Sequence, residues 1–301
     1  MPGFFIRCLN GFGDEENIGE MEMIDAQTEL YGIIGKPVRH SLSPVIHNGA
    51  FRRMGLNAVY LAFEVNNLEE AMSGIRELGL RGVSVTLPFK TQILPYLDNI
   101  GDVAWKIRAV NTIVNEGGRM IGHNTDLNGA LEALEEKVDL KDKRVILLGA
   151  GGAARAIGFG LKEKECQVII FNRSQNRAKV LAKELGCDHH PLSCFEEMDG
   201  DILVNATSVG MYPLDAESPI PKEILKEGMV VMDIVYRPLK TKLLQEAEER
   251  GCLTIDGLEM LARQGAAQLE IWTGRRPEIE EIKEDLCEAL EMKTGRWRRE
   301  S

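Results

Sequence analysis

The sequence has no apolar run approaching the ~20 residues that a membrane-crossing helix requires, so a membrane partner is not expected. It also lacks a long basic run. Its only basic cluster is Arg296, Arg298 and Arg299 near the C-terminus, read as a solvated tail. The net charge is −11 and the pI about 5.1. Nucleic-acid binders draw most of their affinity from basic patches that meet phosphates, so no nucleic-acid partner is expected. Six cysteines occur, Cys8, Cys166, Cys187, Cys194, Cys252 and Cys287, and no two form a Cys-x-x-Cys pair. That argues against a disulfide scaffold and for a reducing, cytoplasmic compartment. Cys187, His189, His190 and Cys194 crowd together, but their spacing fits no standard zinc pattern and Pro191 suggests a loop, so no metal is expected. Residues 1–27 show no clear period and lack a signal peptide's basic start and apolar core. They read as an N-terminal extension, with Met21 and Met23 as alternative starts.

What is present is an ordinary globular composition, 44% hydrophobic and 28% charged over 301 residues, enough for two domains. From residue 30, short apolar runs alternate with helical periods. Strands are expected at 30–34, 59–65 and 82–86, with helices at 44–54 and 68–78. Runs at 109–115 and 119–122 flank Gly117-Gly118 and suggest a hairpin. A helix at 127–138 leads into a second series: strands at 144–148, 167–171, 202–204 and 229–234, with helices at 153–163, 177–185 and 242–250. Amphipathic helices at 258–272 and 279–292 close the chain. Strand–helix alternation of this kind argues for two α/β domains flanking a cleft, each with parallel strands. The expected division is a substrate-binding domain, 28–126 plus 258–301, and a Rossmann-type domain, 127–257.

The sharpest motif is Gly149-Ala150-Gly151-Gly152-Ala153-Ala154, between an apolar strand and a helix. Gly149 permits a tight turn, Gly151 lets backbone N–H groups approach a pyrophosphate, and Ala154 allows helix to pack closely on strand. The helix N-terminus then offers free N–H donors and a positive dipole to phosphate. A second absence decides the cofactor. NAD enzymes usually place Asp or Glu about 20 residues on, to hold the ribose 2′-hydroxyl. Here stand Asn172-Arg173-Ser174, followed by Arg177. A carboxylate would repel a 2′-phosphate, whereas Arg173 offers a planar, always charged fork. The expected cofactor is NADP. Further on, 205–211 (NATSVGM) follows an apolar strand and reads as a nicotinamide contact or as an ordinary turn.

Four clusters in the first half are candidates for holding substrate. Ser43 before Pro44 reads as a helix N-cap with proline at the first helical position. Capping leaves Ser41 unexplained, and two hydroxyls at a helix start suit a carboxylate. Lys90 ends the run 84–90 (SVTLPFK), where it is a surface charge or faces the cleft. AVNT at 109–112 and GHNTD at 122–126 complete the set, with Asp126 a cap or a functional acid.

Taken with SLSPVIHN, DIVYRPLKT and DGLEMLARQGAAQLEIWTG, these ordered motifs resemble those of the shikimate dehydrogenases from about residue 31 to 274. The resemblance implies reversible NADPH-dependent reduction of 3-dehydroshikimate to shikimate, in aromatic amino-acid biosynthesis. It implies Lys90 and Asp126 as the catalytic pair, and Ser41 and Ser43 on the substrate carboxylate. Thr86, Asn111, Tyr236 and Gln264 would contact the ring hydroxyls or carboxylate, so the helix bearing Gln264 should return to the first domain. The cofactor set is Gly149, Ala150, Gly151, Gly152, Ala153, Asn172, Arg173, Ser174, Arg177, Thr207, Met211 and Gly257. A monomer or homodimer acting on a small molecule is expected. Two departures stand out: Ser84, where many bacterial members carry Asn, and 267–269, commonly aromatic-containing, where Gln268 can reach the cleft or be solvated. A quinate/shikimate dehydrogenase, often NAD-preferring, is the alternative, against which Arg173 argues. A non-catalytic NADP-binding regulator has no need of both Lys90 and Asp126.

Overall fold

The computed structural model describes residues 24–297. Most of the N-terminal extension, Cys8, Arg298 and Arg299 lie outside the described residues. Two six-stranded sheets organise the chain. The first contains β1 (Glu29–Gly35), β2 (Ala58–Glu64), β3 (Gly82–Val85), β4 (Asn99–Ile100), β5 (Thr112–Glu116) and β6 (Arg119–His123). Their order is β2-β1-β3-β5-β6-β4. The first three run parallel, and the β5–β6 hairpin joins antiparallel to β3. Gly117 and Gly118 close that hairpin at φ +61° and +94°, the left-handed region a tight turn needs. Helices α1 (Ser43–Met54), α2 (Leu68–Glu77) and α3 (Asp102–Ile107) connect these strands.

After α4 (Asp126–Glu135) the second sheet collects β7 (Arg144–Leu148), β8 (Gln167–Asn172), β9 (Asp188–Pro191), β10 (Ile202–Asn205), β11 (Val230–Asp233) and β12 (Leu253–Ile255). Every pairing is parallel, in the order β12-β11-β10-β7-β8-β9. This is the doubly wound arrangement of a Rossmann-type domain, and its central strands are continuous apolar runs because helices cover both faces. Val145, Ile146, Leu147 and Leu148 of β7 are all buried, alternate residues entering two different cores. The connecting helices are α5 (Gly152–Glu163), α6 (Gln175–Leu185) and α7 (Lys242–Glu249).

The last helices, α8 (Gly257–Thr273) and α9 (Ile279–Trp297), return to the first sheet. Leu258, Ala262, Ala266 and Leu269 of α8 and Ile282, Leu286 and Ala289 of α9 share one core with Tyr31, Ile46 and Phe51. Helix α4 faces the other way: Leu127, Ala130, Leu131 and Leu134 belong to the core of the second sheet, with Ile157 and Leu161. On its opposite side Gly129 meets α8, where any Cβ would fall 2.9 Å from the backbone nitrogen of Gln264. The two helices therefore touch backbone to backbone and join the lobes. Elements the sequence pattern did not reveal are short: β4, α3, β12 and the edge strand β9, which occupies the stretch around Pro191 expected to be a loop.

Candidate active site

The strand order of the second sheet reverses between β7 and β10, which opens a crevice outside their C-terminal ends. The turn from β7 into α5 lines one wall. Gly149 sits at φ +114°, and a Cβ there would lie 2.9 Å from the carbonyl oxygen of Ala206 on the neighbouring loop. Gly151 has open space where a side chain would be, and α5 begins at Gly152 without a side-chain cap. Open space above uncapped N–H groups is the cradle a pyrophosphate requires. At the end of β8, Arg173, Ser174 and Arg177 are exposed. Ser174 is the N-cap of α6, but its hydroxyl makes no capping bond, so it remains available to a ligand. Asn172 donates from Nδ2 to the Ser174 carbonyl at 2.8 Å and fixes the turn. Arg173 borders a shallow hollow with Pro191, Leu192, Ser193, Phe195 and Pro219. The residues present thus fit a dinucleotide with a charged group at its 2′ position.

Thr207 and Met211 lie on the loop after β10. Asn205 ties this loop together: its Oδ1 accepts from the Thr207 hydroxyl at 2.7 Å and from Thr207 N at 3.1 Å. Met211 is exposed. Gly257, first residue of α8, has no room for a side chain, since a Cβ would lie 2.6 Å from the Val235 carbonyl.

The other wall comes from the first sheet. Lys90 follows β3, and its stem lies against Gly152: a Cβ on Gly152 would stand 3.3 Å from Lys90 Cδ. The lysine is therefore at the junction of the lobes and not a free surface charge. Its Nζ donates to Asp126 Oδ2 at 2.6 Å, with the two side chains 16% and 5% exposed. Asn111 Nδ2 donates to the other carboxylate oxygen of Asp126 at 2.9 Å and to the Thr125 hydroxyl at 2.9 Å. Gln264 Oε1 approaches the same amide at 3.5 Å. Asp126 does not cap its helix. It is the first residue of α4, and Asn124 Oδ1 accepts from the N–H groups of Asp126 and Leu127. That arrangement leaves both carboxylate oxygens for Lys90 and Asn111.

The two serines need one correction. Helix α1 starts at Ser43 itself, Leu42 is the N-cap, and no side chain caps the helix. Ser43 is thus not the capping residue expected from the sequence. The Ser41 hydroxyl approaches that of Ser43 at 3.2 Å and accepts from Ser43 N at 3.2 Å. Both hydroxyls stand at the start of α1, where the positive end of the helix dipole favours an anion. Thr86, half-buried, directly follows β3. Tyr236 is half-buried against the core that α1 and α8 share, and burial raises its phenol pKa.

Beneath these residues lies a polar floor the sequence did not disclose. Tyr60 donates to Ser84 Oγ at 2.6 Å, which donates to Gln268 Oε1 at 2.9 Å. Gln268 Nε2 donates to the Asn111 carbonyl at 3.1 Å and the Thr112 hydroxyl at 3.0 Å. Gln268, 1% exposed, neither lines the cleft nor meets solvent; it braces the segment that carries Asn111. His47 Nε2 meets the same Oε1 at 3.1 Å, and the ring stacks on Tyr60. An acceptor-only oxygen requires Nε2 to carry the proton. Burial holds the imidazole neutral, with its pKa pushed down to about 3. Trp272 packs on Tyr31 and His47 and donates to the Ile113 carbonyl at 3.0 Å. The His189–His190 pair falls on β9, where the His190 ring stacks on Phe171.

Three family models together match most of the chain: a shikimate dehydrogenase substrate binding domain over residues 33–113, a shikimate / quinate 5-dehydrogenase over 132–261, and a shikimate 5′-dehydrogenase C-terminal domain over 257–286. A shikimate dehydrogenase (NADP(+)) of Thermococcus kodakarensis is 48% identical over 262 residues, 85% of this chain and 95% of its own. A crystal structure of a shikimate dehydrogenase in complex with NADP+ superposes with a TM-score of 0.85 at 46% identity, covering 89% of this chain and 97% of that one. The Thermus thermophilus shikimate 5-dehydrogenase, in complex with NADP(H) and shikimate, gives 0.81 at 39% identity over 87% and 99% of the two chains.

Proposed function

The chain belongs to the shikimate dehydrogenase family, and we propose that it catalyses the reversible NADPH-dependent reduction of 3-dehydroshikimate to shikimate, in the cytoplasm, as a step of aromatic amino-acid biosynthesis. The single observation that carries this reading is the Lys90–Asp126 pair, 2.6 Å apart, at the seam where the start of α5 meets the first sheet. No helix among the described residues is long and apolar enough to cross a membrane.

In this reading residues 28–126 and 258–301 hold the substrate and 127–257 hold the cofactor. Gly149, Ala150, Gly151, Gly152 and Ala153 receive the pyrophosphate. Asn172, Arg173, Ser174 and Arg177 receive the adenosine and its 2′-phosphate, while Thr207, Met211 and Gly257 flank the nicotinamide. Bound NADPH supplies the hydride. As the ketone carbon accepts it, the oxygen becomes an alkoxide that needs a proton. The Lys90 ammonium stabilises that oxygen and donates the proton. Asp126 orients the lysine and shares its proton across the 2.6 Å hydrogen bond. Asn111 keeps the carboxylate turned toward Lys90 through its bond to the second oxygen.

A polyhydroxy acid demands many partners, because each buried polar group left unpaired costs ~1–3 kcal/mol. Ser41 and Ser43 offer hydroxyls to the carboxylate at the start of α1. Thr86, Asn111, Tyr236 and Gln264 supply the remaining hydroxyl and amide contacts. The enzyme acts on its small-molecule substrate as a monomer or homodimer. The test is the oxidation of shikimate and of quinate with NADP and with NAD, followed at the nicotinamide absorbance. Activity confined to shikimate with NADP is expected. Comparable use of quinate, or a preference for NAD, would replace this reading with a quinate/shikimate dehydrogenase.

A further inference from the structure

Asp233 ends β11 beside Asn205, the last residue of β10, with which it is in register. It is 0% exposed. Three neutral donors meet its carboxylate: Asn205 Nδ2 at 2.9 Å and Val235 N at 3.0 Å on Oδ1, and the Thr241 hydroxyl at 2.7 Å on Oδ2. Burial raises its pKa to about 6, and the three hydrogen bonds act in the opposite direction. A buried carboxylate is costly to keep, and nothing in the reaction described above uses it.

Each donor leads to a different segment of the chain, two of them bordering the cleft. Asn205, held through Nδ2, turns Oδ1 onto Thr207 N and Oγ1, and Thr207 Oγ1 in turn accepts from Val209 N at 3.1 Å. This sets the loop that carries Thr207 and Met211. Val235 N leads to Tyr236, and the Val235 carbonyl is the group that leaves Gly257 no room for a side chain. The Ile234 N–H adds a bond to the Asn205 carbonyl at 3.1 Å, so the two segments are also tied to each other. Thr241 caps α7 through the N–H of Leu244.

We infer that Asp233 is a positioning residue for hydride transfer, holding the 205–211 loop on the nicotinamide side in fixed relation to Tyr236 and the start of α8 on the substrate side. The inference rests on the reading that this loop contacts the nicotinamide. Asp233 touches no ligand in this account and acts through Asn205 and Val235. Replacing one carboxylate oxygen by an amide NH2 costs hydrogen bonds in either flip. In one flip the NH2 meets the donors of Asn205 and Val235; in the other the Thr241 hydroxyl must turn to accept from it, and its own hydrogen loses the carboxylate. The pyrophosphate and 2′-phosphate sites, on α5 and after β8, are left intact.

The experiment measures calorimetric binding of NADPH and of adenosine 2′,5′-bisphosphate, which lacks the nicotinamide, to wild type, Asp233→Asn, Thr241→Val and Thr241→Ser. Asp233→Asn is expected to weaken NADPH by at least about fivefold and the bisphosphate by less than about twofold, and to lower kcat at least about tenfold. Thr241→Val, which removes one donor to the same carboxylate, should move NADPH binding the same way by a smaller factor. Thr241→Ser, which keeps the hydroxyl, should restore it. If Asp233→Asn does not fold, the two threonine variants decide the question. Equal weakening of both ligands would show a lobe-wide structural role and overturn the inference, as would unchanged NADPH binding and kcat. If wild type itself binds the bisphosphate as tightly as NADPH, the nicotinamide assignment of 205–211 fails instead, and the inference falls with it.

Discussion

Replacing Lys90 by methionine keeps the length of the stem that lies against Gly152 and removes only the ammonium. Two effects follow, and they are separable. The first is chemical. A positioned general acid contributes about 10²–10⁴-fold, so kcat should fall by that factor with a modest change in the shikimate KM. The second is energetic. Asp126, 4% exposed, loses its cation and keeps Asn111. Breaking a buried pair by removing one partner costs about 3–5 kcal/mol, and because the wild-type Lys90 side chain is already 16% exposed and Asn111 stays in place, the lower end is expected. The double variant Lys90→Met/Asp126→Asn removes the stranded charge. It should regain most of the lost stability and none of the turnover. Thermal unfolding and steady-state kinetics on the three proteins suffice. A Lys90→Met enzyme that folds and turns over within tenfold of wild type would refute the assignment of Lys90 as proton donor. A variant with raised KM and unchanged kcat would reduce the lysine to a substrate contact.

Arg173→Asp places a carboxylate where the account puts a 2′-phosphate. Charged hydrogen bonds are worth about 1.5–3 kcal/mol, so preference for NADP over NAD in kcat/KM should fall at least about tenfold; an unchanged ratio would contradict the assignment. Gly149→Ala meets both a φ of +114° and the Ala206 carbonyl at 2.9 Å, so it should weaken NADPH binding and lower Tm together. His47 carries a pH dependence. Its pKa falls from 6.5 to about 3 on folding, so its contribution is present above pH 6.5 and is lost as pH drops toward 3. At about 1.4 kcal/mol per pH unit the loss between pH 6.5 and 4 is ~3 kcal/mol. Chemical denaturation across that range should show His47→Gln losing less stability than wild type; parallel curves would mean the ring is not held neutral.

Much of the geometry of the proposed cofactor wall was legible because its requirements are local. Gly149 needs its dihedral, Gly151 its open space, and Arg173 its charge at a strand end, and each is a one-residue demand that pattern can carry. The cap assignments were less legible. Serine before proline looks like a cap, yet α1 starts at Ser43 and leaves its hydroxyl beside Ser41. At α4 Asn124 takes the role that Asp126 was a candidate for. The polar floor was not legible at all. Gln268 stands beside Ala266, Ala267 and Leu269 as a polar residue in an apolar stretch of α8. Its partners lie on α1, on β3 and at the start of β5, 156 or more residues away. Only the packing of α8 on the first sheet brings them together. Asp233 left a trace, an acid closing an apolar run, but the trace does not distinguish a strand end from a hub. The short α3, β4 and β12 are fixed by their neighbours and carry too few residues for a period of their own.

The most direct measurement of the central claim is to follow the hydride itself. Wild-type enzyme is given 3-dehydroshikimate and NADPH carrying two deuterium atoms at nicotinamide C4, and the shikimate formed is weighed by mass spectrometry. The account requires one deuterium in every product molecule and a far slower appearance of the same species with Lys90→Met. Unlabelled shikimate, or no shikimate from the wild-type protein, would contradict it.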